Sequence, residues 1–156
     1  MKLSTKGRYA VTALADIALQ GDDALVSLGD ISDRQDISLA YLEQLFVKLR
    51  RAGVVESVRG PGGGYRLSGA PSETRISDVM AAVDERLNAM GVEIGAAPPD
   101  ASEAAELTHR LWEQLSAHVY VFLNQTTIAD VIQDKMVPCP AVPDFASLLE
   151  EEGARA

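Results

Sequence analysis

A single cysteine, Cys139, stands among 156 residues. No disulfide can therefore close within the chain, which fits a reducing compartment. No apolar run approaches the roughly 18 residues of a membrane span, and charges occupy the N-terminal stretch that a secretory signal would keep apolar. The expectation is a cytoplasmic protein with no membrane partner. The constellations of an enzyme are missing too. There is no nucleophile-base pair and no repeated carboxylate pattern, and the glycine run 62–64 lacks the following helix and lysine of a phosphate loop. Positive charge is scarce, with 14 Lys and Arg against 23 Asp and Glu and a net charge of −9. That balance argues against a nucleic-acid binder until the chain is divided. Residues 1–75 carry 10 basic and 9 acidic side chains, and residues 76–156 carry 4 and 14. The acid lies in the second half, and phosphate attraction depends on the local field, so the first half remains able to bind a polyanion.

Hydrophobic residues make up 47% of the chain, enough for one domain with an extension. Tyr9, Ala10, Ala13, Leu14 and Ile17 recur at helical spacing and predict a scaffold helix over 5–19. Ser27, three residues before Asp30, predicts a capping box opening a helix over 28–34. Ser38 is placed to cap a second run over 39–52, and Gly53 to end it. In that run Leu42, Leu45, Phe46 and Leu49 form one apolar face. Two short helices joined tightly make a helix-turn-helix pattern. Residues 54–67 then read as a β-hairpin, with Val54, Val58, Tyr65 and Leu67 on its arms, and Pro61 among glycines forces the tip to turn.

The polar side of the second helix leaves Ser38, Tyr41, Glu43, Gln44, Lys48 and Arg51 pointing outward or sideways. Such residues suit a major groove. The Gln44 amide matches adenine, the Glu43 carboxylate accepts from cytosine, and Lys and Arg hold phosphates. The hairpin adds Arg59 and Arg66, with Gly60, Gly62, Gly63 and Gly64 giving a backbone able to approach another polymer closely. Lys6, Arg8 and Tyr9 at the start of the first helix are further candidates for phosphate. The competing readings are an amphipathic helix with a solvated polar side and a glycine-rich surface turn. The combination of helix pair and wing favours double-stranded DNA.

Several stretches carry a resemblance. MKLSTKGRYAVTA at 1–13, DIS at 30–32, ISLAYLEQLF at 37–46, VRGPGGGY at 58–65, ISDVMAAVDE at 76–85 and THRLW at 108–112 resemble the bacterial winged-helix transcription regulators of the IscR and NsrR type. The members that govern iron-sulfur cluster assembly are the most similar. The resemblance implies a mainly α fold with a small β-hairpin wing, a recognition helix over 39–52, and an Arg59 that enters the minor groove. It also implies a repressor of cluster-assembly and iron-metabolism genes, and a 2Fe-2S cluster held by three loop cysteines and a histidine. His109 occupies the histidine position, but residues 86–106 contain no cysteine. A cluster of this kind takes four ligands, so it is either lost or ligated differently.

The candidate ligands are His109 and Cys139, the latter held between two prolines, with oxygen ligands such as Asp84, Glu93 or Glu106, or a partner subunit, supplying the rest. Cys139 also reads simply as a tolerated cysteine in a tail. His118 follows His109 by nine residues; at about 100° per residue it lies on the opposite side of a helix and is no co-ligand. The function without a cluster is a winged-helix repressor controlled by a protein partner or small effector on its acidic half.

Asp100, with Glu103 three residues on, predicts the cap of a long helix carrying Leu107, Leu111, Leu115, Val119, Phe122 and Leu123 in a stripe. A stripe this long calls for a partner surface, and a second copy of the chain would suit a pseudo-palindromic site. The alternative is that it covers its own domain. Thr127 is placed to cap a short helix over 128–135. The expected organisation is a winged helix-turn-helix domain over 1–85, a sensor loop over 86–101, dimerisation helices over 102–136 and a loosely ordered tail over 137–156.

Overall fold

The computed structural model describes residues 5–84 and 102–136. Helices α1 (Thr5–Leu19), α2 (Leu28–Gln35) and α3 (Leu39–Arg51) precede a hairpin of β1 (Val55–Val58) and β2 (Gly64–Leu67). Then come α4 (Ile76–Ala82), the long α5 (Glu103–Gln125) and the short α6 (Ile128–Ile132). The structure is thus mainly helical with one antiparallel hairpin. The expected sensor loop and tail, with Glu93, Asp100 and Cys139, lie outside the described residues.

Local chemistry sets the helix-turn-helix. At the head of α2 the Ser27 hydroxyl accepts the Asp30 amide at 3.1 Å, but the Asp30 carboxylate turns to that same hydroxyl, at 2.7 Å, instead of reaching back to the Ser27 amide. The helix stops at Asp36, whose φ of 52° is left-handed, a conformation Asp adopts more readily than most residues. Ser32 then donates its hydroxyl to the Ile37 carbonyl at 2.7 Å, which fixes the turn and sinks Ile37 into the core. Ser38 occupies the N-cap of α3, yet its side chain makes no capping bond. Its backbone sits at φ −52° and ψ 128°, away from the extended geometry of Ser27. Gly53 ends α3 as expected. At φ 74° it lets its own amide reach Arg50 O and the Val54 amide reach Leu49 O, a Schellman closure.

That closure also shifts the hairpin. Because the Val54 amide is spent on α3, the ladder starts one residue later, and Val55 rather than Val54 or Val58 is the arm residue that sinks into the core. The register pairs Val55 with Leu67 and Val58 with Gly64. Val26 adds a single bridge to Tyr65, with amide-carbonyl bonds of 2.8 and 2.9 Å in the two directions. At the tip, Gly63 N donates to Gly60 O at 2.9 Å across Pro61 and Gly62. With Gly62 at φ 76°, this is the signature of a type II turn.

One core holds these elements together. Phe46, Leu42 and Leu49 from α3 meet Leu14 and Ile17 from α1, Val79 from α4, Val83 just after it, and Ile128 from α6. The last of these matters for the organisation of the chain. The Ile128 amide reaches Thr74 O and the Ile76 amide reaches Thr126 O, both at 2.9 Å, so α6 returns to seal the half that carries the helix-turn-helix and the hairpin. Thr127 and Asp130 form a full capping box at its head, and the two hydrogen bonds from Thr127 hold the Asp130 carboxyl below the usual carboxylate range. The helix ends at Ile132 and does not run to Lys135. Asp134 turns left-handed at φ 52° and the Lys135 amide folds back to Asp130 O. The long helix α5 is capped by Ser102, whose hydroxyl accepts the Ala105 amide at 3.3 Å, and not by Asp100. Ser is as good a cap as Asp, and it stands two residues nearer the stripe.

Candidate nucleic-acid interface

The apolar face of α3 is committed to the core, so its opposite side is the one left to solvent. Ala40, Glu43, Gln44 and Arg51 are exposed there, and Ser38 is exposed at the helix start. Leu39 and Val47 share this surface, 44% and 40% exposed. A search for polar outward residues passes over both, although the 40-43-47-51 spacing would have found Val47. Methyl groups on a reading face are suited to the thymine methyl.

Three of the expected outward groups are otherwise engaged. Tyr41 is half-buried, its ring edge-on to Tyr9 with centroids 5.7 Å apart, so it ties α3 to α1 rather than projecting outward. Lys48 bonds the Asp84 carboxylate beyond α4, and the Asp84 carboxyl is thereby held below its usual range, with Lys6 contributing. Arg66 is paired with Glu56 across the hairpin at 2.6 Å. The basic group that Lys48, Arg50, Arg51, Arg59 and Arg66 make on the helix and wing is therefore thinner than their number suggests. Arg50 leans to the Ser57 hydroxyl at 3.5 Å, whereas among the described residues Arg51 and Arg59 form no ion pair.

The hairpin is set against α3 by Tyr65, whose ring meets Phe46 with centroids 4.8 Å apart. This brings the wing and α3 onto one block. Arg59, Gly60 and Gly62 lie exposed at the tip. At Gly60 and Gly62 a Cβ would meet nothing within 4 Å, so those two glycines open outward. Gly63 and Gly64 have the opposite surroundings. A Cβ on Gly63 would lie 2.2 Å from Val58 O, and one on Gly64 2.7 Å from Val26 O. Their lack of a side chain serves the chain's own packing.

A buried carboxylate absent from the sequence expectations completes the scaffold. Asp16, 4% exposed, accepts both Arg34 Nε and Nη2, at 3.1 and 2.7 Å, and Gln35 Nε2 at 2.9 Å. This network clamps α2 to α1, and hydrogen bonding to Asp16 raises the Arg34 pKa above its ordinary value. The signal was an acid set between Leu14 and Ile17 on an apolar face.

The metal candidates among the described residues do not stand together. His109 is half-buried on α5, Glu106 and His118 are exposed, and Asp84 is held by Lys48. Among the described residues no three His, Cys, Asp or Glu side chains stand close enough to hold a metal ion. The described donor set does not fit a cluster with four protein ligands. Along α5, Leu107 and Leu111 are each 54% exposed and Tyr120 51%, while only Leu123 of the expected stripe packs against the core. No described helix is long and apolar enough to cross a membrane.

Residues 3–134 match the family model Rrf2, described as iron-dependent transcriptional regulator. The chain is 58% identical over 155 residues to the HTH-type transcriptional regulator IscR of Cereibacter sphaeroides, covering 97% of this chain and all of that one. Among solved structures, CymR, the global cysteine regulator of B. subtilis, aligns with a TM-score of 0.73 at 30% identity over 86% of this chain and 98% of the other. IscR of T. potens aligns at 0.69 and 36% identity over 86% and 88%.

Proposed function

The chain belongs to the Rrf2 family of winged-helix transcriptional regulators, and from that premise we propose that it is a homodimeric repressor of iron-sulfur cluster assembly and iron-metabolism genes. The observation that carries the reading is the joint surface of α3 and the wing. Glu43, Gln44 and Arg51 on one and Arg59 on the other face solvent from a single packed block. In this reading α3 enters the major groove, Gln44 reads adenine, Glu43 accepts from cytosine, and Ser38 and Arg51 fix the register on phosphates. Arg59 at the turned tip enters the adjoining minor groove, where Gly60 and Gly62 let the backbone come close. The exposed stripe of α5 packs on its counterpart in a second copy, giving two readers for two half-sites.

Arg59→Ala tests the wing. On a duplex selected from a random pool by the wild-type protein, binding measured by fluorescence anisotropy weakens by roughly 10- to 100-fold, the equivalent of about 1 to 3 kcal/mol, and sequence preference relaxes at the minor-groove position. Unchanged affinity would remove Arg59 from the interface.

Control by iron is the finer part of the proposal. Retention of His109 and the iron-dependent description of the family support a 2Fe-2S cluster on His109 and Cys139 with further ligands from carboxylates or the partner subunit. The second reading, a cluster-free repressor set by a protein partner or small effector on the acidic half, needs no such ligand set. No regulatory step is derived through a cluster. Protein purified without oxygen separates the two. Visible charge-transfer bands with matching iron and sulfide, lost in His109→Ala or Cys139→Ala, support the cluster. A colourless protein after reconstitution supports the effector.

A further inference from the structure

Lys48 lies on the helix proposed to read DNA, and its ammonium is bonded to the carboxylate of a residue 36 positions later, at the end of a different helix. Asp84 stands two residues beyond the last residue of α4, after the C-cap Val83, and has a left-handed φ of 58°. It remains 74% exposed, whereas Lys48 is 36% exposed. Burial therefore does not hold the carboxylate in place. Its charge has a second neighbour in Lys6 near the start of α1, so one carboxylate engages a cation on α3 and the field of another on α1.

A DNA phosphate and this carboxylate are alike to Lys48. Each is an anionic oxygen acceptor, and the two repel one another if both approach the same ammonium. We infer that Asp84 is an affinity-setting residue of the DNA interface: it occupies Lys48 in the free protein, and operator binding requires Lys48 to exchange Asp84 for a phosphate. The inference rests on the DNA-reading role of α3 given above. Its strength is modest, because an exposed pair of this kind holds its partner weakly. A weak clasp suits an interface that must open. It also explains why a protein with so little free positive charge spends a lysine on an internal contact at its reading helix.

The test uses the full chain and a duplex selected from a random pool by the wild type. Asp84→Asn tightens binding about two- to fivefold, while the slope of log affinity against log salt concentration stays at the wild-type value, because Lys48 meets the same phosphate in both complexes. Asp84→Glu, which keeps the clasp, leaves both at wild-type values. In the Lys48→Ala background Asp84→Asn no longer tightens binding. An equal gain in that background means that Asp84 acts through bulk charge alone, and no gain in the wild-type background means that Lys48 is not withheld; either overturns the inference. A thermal double-mutant cycle without DNA reads the clasp independently: coupling between the two positions supports it, and strict additivity overturns it. A wild type that enriches no duplex defeats the DNA-reading role itself, and the thermal cycle still decides whether Lys48 and Asp84 are joined.

Discussion

Replacing Leu111 and Leu115 together by aspartate yields a folded monomer that holds operator DNA at least about 100-fold more weakly than the parent. Both side chains lie on the solvent side of α5, 54% and 39% exposed, so the chain's own core contains neither and its helix content is unchanged. In a symmetric dimer each position appears on both sides of the interface, and the double variant removes four leucines and adds four charges. Burying a leucine stabilises by about 1.5 to 3 kcal/mol, and introducing carboxylates without partners adds to the loss. The summed effect exceeds what a stripe of this size supplies to association. Operator binding then falls because the second half-site is no longer brought in with the first. Sedimentation velocity and circular dichroism on the same preparation check the two halves of this result. A double variant that still sediments as a dimer would show that α5 is not the interface, and one that loses helix content would show that the stripe covers its own domain.

The parts of the fold that were legible in the sequence are those decided locally. The bounds of α1 are those its apolar spacing predicts, Thr5 to Leu19. Gly53 ends α3 because a left-handed residue is needed there, and Pro61 with Gly62 makes the turn that the composition of the tip demands. The misses occur where two local solutions are equivalent or where a distant residue decides. Ser102 and Asp100 are both good caps, and Asp134 ends α6 in a conformation that spacing alone does not reveal. Charges were the least legible. The partners of Lys48, Arg66 and Arg34 are Asp84, Glu56 and Asp16, between 10 and 36 residues away, so their availability to DNA depends on tertiary placement. On α3, Glu43 and Gln44 remain outward as expected, while Tyr41 turns to Tyr9, because an aromatic ring gains more from packing than from solvent. The glycines of the wing illustrate the same limit, since four residues of one type divide into two kinds only after Val26 and Val58 are put beside them.

That division predicts a large difference between neighbouring substitutions. Gly64→Ala destabilises the protein by about 3 kcal/mol, lowering the melting midpoint by about 10 °C. The added carbon would sit 2.7, 2.8 and 2.9 Å from the oxygen, carbon and nitrogen of Val26. All three are backbone atoms, so no rotamer change relieves the clash, and Val26 and β2 must separate. Separation stretches both hydrogen bonds between Val26 and Tyr65 and disturbs the ring contact of Tyr65 with Phe46, which seats the wing on α3. Gly62→Ala meets no atom within 4 Å and carries only the strain of a left-handed alanine at φ 76°, about 1 kcal/mol. DNA binding should reverse the order once each protein is assayed below its own melting midpoint. The Gly62 variant places a methyl group on the exposed tip proposed to approach the sugar-phosphate backbone, whereas the folded fraction of the Gly64 variant keeps that tip free. Calorimetry and anisotropy on both proteins separate a glycine required by the chain's own packing from one required by its ligand. Equal melting points for the Gly64 variant and the parent would show that Val26 and β2 yield to each other more easily than their hydrogen bonds imply.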